Sequence, residues 1–117
     1  MKLFAISDLH LPFGSNKPMD IFSGWTDYTK RLRNNWQKIV SAEDTVIIPG
    51  DFSWALKLED TLPDFEYLNK LNGNKILLKG YHDFWWSTAS KINSFLADNK
   101  FEKKYIKLIK YKNVNTF

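Results

Sequence analysis

Thr45-Val46-Ile47-Ile48-Pro49-Gly50-Asp51 is a short apolar run that halts at a glycine-containing acidic turn. Unbroken β-branched residues over this length suit a buried strand, and the Pro-Gly pair marks its end. The same grammar occurs twice more. Lys2 to Ser7 runs into Asp8-Leu9-His10, and Lys75 to Lys79 runs into Gly80-Tyr81-His82-Asp83. Three buried strands are expected, each ending in side chains able to bind a metal or move a proton.

Helices fill the intervals. Leu32, Trp36, Ile39 and Val40 recur at helical spacing behind a capping residue, Thr26 or Asp27. Leu62, Phe65, Leu68 and Leu71 form a second stripe, with Pro63 in the first turn and Gly73 as the stop. A third helix is expected from Thr88 to Asp98, with Ile92, Phe95 and Leu96 inward. The order β-α-β-α-β-α predicts an α/β fold, a parallel sheet with flanking helices joined by right-handed crossovers. Leu11 to Trp25, punctuated by Pro12, Gly14, Pro18 and Gly24, is expected as a long loop over the same edge.

Length and composition bound the rest. The 117 residues, 44% hydrophobic and 26% charged, suit one domain spanning 1–117. No cysteine is present, so disulfides and thiolate sites are excluded and a cytoplasmic location is expected. The apolar start before Asp8 is too short for a signal or a membrane span. The charge is +4, from 17 basic and 13 acidic side chains, but Lys103, Lys104, Lys107, Lys110 and Lys112 crowd the end. Residues 1–102 without them hold 12 basic and 13 acidic groups. Basicity therefore belongs to residues 103–117, an uncertain tail that fits neither a clean strand nor a clean helix. It carries no folded nucleic-acid-binding motif, and a solvated end is the expectation.

Ligand sites in open parallel sheets lie at the carboxyl ends of the strands, where all three motifs fall. Asp8 and His10, two apart on an extended chain, would face one side and chelate one ion. Asp51 would complete that set or bridge to a second ion. His82 could donate a proton to a leaving oxygen or stabilise phosphoryl charge, while Asp83 either orients it or caps the turn. Each residue alone has a structural reading as a turn or capping group; their ordered convergence favours a metal site. Trp54, Phe84, Trp85 and Trp86 follow the second and third motifs as core or loop anchors, and any left exposed would favour self-association.

Asp-x-His, Gly-Asp and Gly-x-His-Asp in this order resemble the first half of the calcineurin-like metallophosphoesterases, from Met1 to about Asn99. The resemblance implies phosphate-ester hydrolysis at a metal centre in which Asp8 and His10 hold one ion, Asp51 bridges and His82 is the catalytic imidazole. It also implies an α/β sandwich whose second sheet comes mostly from a portion beyond this resemblance. Two departures bear on activity. Tyr81 stands where the family has a metal-binding Asn, and no histidine follows position 82, so the family's later His and Gly-His-x-His are absent. The expectation is at most one well-held divalent ion, manganese, iron, zinc or magnesium, and weak or no turnover. The alternative is a non-catalytic remnant that binds metal or oligomerises. Neither membrane nor nucleic acid is an expected partner.

Overall fold

The computed structural model describes residues 1–17, 19–101 and 106–109; of Asp20, Lys107 and Ile109 only the backbone is described. Four parallel strands, β1 (Leu3–Ala5), β2 (Thr45–Ile48), β3 (Asn74–Leu78) and β4 (Ile106–Ile109), lie in the order β1-β2-β3-β4. Helices α1 (Tyr28–Ile39), α2 (Leu62–Asn69) and α3 (Ala89–Asp98) fill the three crossovers. Each strand is added on the same side of its predecessor. Right-handed crossovers in that arrangement carry all three helices to one face of the sheet.

The strand register identifies that face. Phe4, Val46, Lys75 and Ile106 are aligned across the sheet, as are Ile48, Leu77 and Leu108 one pleat further on. Val46, Ile48, Lys75, Leu77 and Ile106 are buried, in one core with Trp36 and Val40 of the first crossover, Phe65, Leu68 and Leu71 of the second, and Ile92 and Leu96 of the third. Each large side chain buried there contributes roughly 1.5–3 kcal/mol. Lys75 is the polar member. Its ammonium donates to the carbonyl of Leu71, just past the end of α2, and burial pulls its pKa down to about 8. The opposite face bears Leu3, which is 64% exposed, and the half-buried Ile47, Ile76 and Leu78.

Several local expectations need correction. Part of the basic tail is ordered as strand: the backbone of Ile106–Ile109 pairs with Lys75–Leu78, so β3 is not the last strand. The apolar pattern Ile106, Leu108 was obscured by interleaved lysines. The remaining tail residues, 103–105 and 110–117, lie outside the described residues. Ile39 is 61% exposed and leaves the α1 stripe to Leu32, Trp36 and Val40. Asp27 is the N-cap residue of α1, but its backbone is left-handed and its side chain makes no cap hydrogen bond. Helix α2 ends at Asn69; Gly73, with φ +90°, serves the turn into β3. Thr88 caps α3 by accepting the Lys91 N–H at 3.1 Å. Among the described residues no helix is long and apolar enough to cross a membrane.

Candidate metal centre

Beyond β1 and β2 the chain stays paired while it turns. Asp8 N–H donates to Gly50 O, His10 N–H to Asp51 O and Leu11 N–H to Phe52 O, at 2.9–3.1 Å. The first and second motifs are thus laid side by side by main-chain bonds. Asp8, His10 and Asp51 all have positive φ, at 60°, 45° and 51°. This corrects the expectation of an extended Asp8–His10 segment. Asp and His tolerate this region better than most side chains, yet each position costs about 1 kcal/mol or more. Strain at all three ligand candidates is held by the ladder around them.

The turns bring the three side chains together. Asp8, His10 and Asp51 offer ligand atoms that all lie within 4.8 Å of one another, and His10 Nε2 is 3.6 Å from Asp8 Oδ1. Ligand atoms sharing one ion at bonds of about 2.0–2.2 Å would stand about 3–3.6 Å apart. Rotation of the side chains toward one another would close the set, and two carboxylates and an imidazole are donors that suit one hard or borderline divalent cation.

Neighbouring groups hold each of these residues. The Tyr28 hydroxyl, at the start of α1, donates to His10 O at 2.5 Å. The His10 ring stacks on Trp54 with centroids 4.7 Å apart, and Trp25 meets it edge-on at 6.2 Å. Its Nδ1 is buried with no hydrogen-bond partner among the described residues. Metal-bound imidazoles normally have a second hydrogen bond, so orientation here falls to ring packing and the Tyr28 contact.

The third motif joins through glycine contacts. Gly50, with φ +119°, packs on Gly80; a Cβ on Gly80 would overlap the backbone nitrogen of Asp51. This close approach lets Asp51 reach His82: Oδ1 accepts the His82 backbone N–H at 2.7 Å, and Oδ2 lies 3.1 Å from Nδ1. Burial opposes the charge on Asp51, but the His82 backbone N–H, its imidazole and the neighbouring Asp8 carboxyl outweigh it. Its pKa is lowered on balance. His82 is 39% exposed and lies 6.1 Å from His10, ring to ring.

Asp83 is buried, and its carboxylate accepts the backbone N–H groups of Asp51, Phe52, Ser53 and Gly80 and the indole N–H of Trp85, at 2.7–3.3 Å. It clamps the second motif to the third, and the carboxylate beside the imidazole is that of Asp51. Tyr81 is 84% exposed with its ring edge-on to His82, while Phe84 is also exposed. Trp85 is in the core, Trp86 is half-buried against it, and Trp54 packs on the site.

Sequence reasoning missed Asp64. It is wholly buried and binds the Phe13 N–H at 3.0 Å and the Ser53 hydroxyl at 2.5 Å, tying the loop after His10 to the loop after Asp51. Burial pushes its pKa up to about 7, against these two donors. An acid on the otherwise apolar stripe of α2, four residues before Leu68, was the available signal.

The family profile described as calcineurin-like phosphoesterase matches residues 1–116. The crystal structure of AQ665 from Aquifex aeolicus, a protein of unknown function, is similar at a TM-score of 0.56 and 25% identity. The match covers 94% of this chain and 50% of that one, so the chain spans half the length of this relative. No curated protein matches. Strand-end motifs, their convergence and the profile over nearly every residue place the chain in the calcineurin-like phosphoesterase family.

Proposed function

We propose that this chain is the metal-binding half of a phosphate-ester hydrolase, in which Asp8, His10 and Asp51 hold one divalent ion and His82 assists the leaving group. The observation that carries this reading is the convergence of three ligands from two separate loops, each on a strained backbone. When bound, the ion would activate water and offset charge on the phosphoryl oxygens. Manganese, iron, zinc and magnesium all accept carboxylate and imidazole ligands, and each suits this donor set.

The residues divide the work. Acting as the acid, His82 is the imidazolium, whose Nδ1–H donates to Asp51 while its Nε2–H passes to the ester's leaving oxygen and leaves the ring neutral. Asp83 acts through the backbone of Asp51 and is a positioning residue. Tyr28 and Trp54 fix the direction of His10.

Hydrolysis of an activated phosphodiester in Mn²⁺ tests the reading, with Asp51→Asn as control. Turnover that disappears in the control supports it; turnover unchanged in the control is contamination and refutes it. The second reading, a non-catalytic module that self-associates, draws on the exposed Leu3 beside the half-buried Ile47, Ile76 and Leu78. It predicts a concentration-dependent sedimentation coefficient and no metal-dependent turnover.

A further inference from the structure

We infer that the cavity beside Asp8 is an oxyanion subsite built around Arg31, so that the favoured substrate carries a second acidic group besides the phosphate at the metal. This rests on the proposed metal site and extends it to substrate class. The cavity measures about 280 Å³, and its wall includes Asp8, Trp25, Arg31 and Asn35.

Arg31 is held in place by the loop ahead of its helix. Its Nε donates to Thr26 O at 2.9 Å and its Nη2 to Gly24 O at 2.7 Å. A guanidinium has five N–H groups, so three remain, two on Nη1 and one on Nη2. Among the described residues no carboxylate comes within ion-pairing distance of Arg31, and no hydrogen bond engages the Asn35 amide. A fixed cationic fork with free donors, joined by a free amide on the same wall, matches the planar array of oxygens on a phosphate or carboxylate.

The placement sets the order of binding. Asp8 on the cavity wall repels an anion while its own charge is uncompensated. A divalent ion on Asp8 and Asp51 cancels that charge, leaving Arg31 as the net local field. The ion would take the first phosphate and Arg31 the second acidic group across the cavity. A neutral substituent leaves the guanidinium unanswered.

The test compares three probes on the Mn²⁺-loaded chain by calorimetry: methyl phosphate, pyrophosphate and phosphoglycolate. The two probes with a second acidic group should bind about tenfold or more tightly than methyl phosphate, from charge-assisted contacts. Arg31→Gln should remove that preference while leaving methyl phosphate unaffected. Pyrophosphate alone gaining identifies a phosphate in the subsite, and phosphoglycolate gaining as well identifies a general oxyanion site.

Because Arg31 also braces the loop, the unsubstituted chain supplies a second readout. Arg31 and Arg33 are its only arginines, so the Nε–H resonance of Arg31 is readily followed. It should shift with pyrophosphate or phosphoglycolate and stay still with methyl phosphate. Equal affinities with a silent Arg31 resonance, or a preference fully retained in Arg31→Gln, would overturn the subsite alone. Failure to bind Mn²⁺ at all would overturn the proposed metal site, and this inference with it.

Discussion

The two oxygens of Asp51 each hold one nitrogen of His82, Oδ1 the backbone N–H at 2.7 Å and Oδ2 the imidazole Nδ1 at 3.1 Å. One carboxylate therefore fixes both the turn that carries the imidazole and the direction of its ring, while also belonging to the ligand cluster. The proposed metal site and the proposed acid share a residue, which makes their separate removal informative.

His82→Ala should leave Mn²⁺ affinity within about threefold and lower phosphodiester turnover about 10²-fold, the range of a lost general acid. Asp51→Asn should lose both. Parallel calorimetry and rate measurements check this; a His82→Ala chain with unaltered turnover removes the imidazole from the reaction.

Tyr28→Phe removes the hydroxyl that donates to the carbonyl of His10. Supporting contacts of this kind are worth about 10–100-fold in metal affinity. Weakened Mn²⁺ binding with a near-normal urea midpoint is the expected pattern.

Asp83→Ala should destabilise the fold by about 3 kcal/mol or more, because several buried N–H groups lose their acceptor at once. Urea denaturation reads this directly. A loss under 1 kcal/mol would mean that the clamp between the second and third motifs is not needed for stability.

Asp64 predicts a pH dependence. Its folded pKa, about 7, exceeds the ordinary 3.8, so the folded state binds the proton more tightly than the unfolded chain. Its stabilising effect is complete below about pH 4, falls as pH rises toward 7, and is exhausted above it. The slope should approach about 1.4 kcal/mol per pH unit within that window. Asp44 and Asp51, whose pKa values are lowered, act below pH 4 and with opposite sign. Asp64→Asn should flatten urea stability between about pH 4.5 and 7; an unchanged slope contradicts the assignment.

Strand ends and the crossover helices were legible because apolar runs stopped at Asp8, Gly50 and Gly80, with periodic stripes between them. What escaped the sequence is tertiary. Positive φ at Asp8, His10 and Asp51 is imposed by the main-chain ladder between their loops, which no local propensity encodes. β4 was hidden because Lys107 alternates with Ile106 and Leu108 in a lysine-rich context. The Asp64–Ser53 contact joins residues 11 positions apart through a buried pocket that composition cannot reveal. Gly50 and Gly80 were readable as turn residues, but their mutual packing, which brings Asp51 to His82, emerged only in three dimensions.

The most direct measurement is a calorimetric Mn²⁺ titration of the chain beside an Asp8→Ala, Asp51→Asn double variant. The account predicts one site, lost in the variant. No binding to the unsubstituted chain, or a site that persists unchanged in the variant, would contradict it.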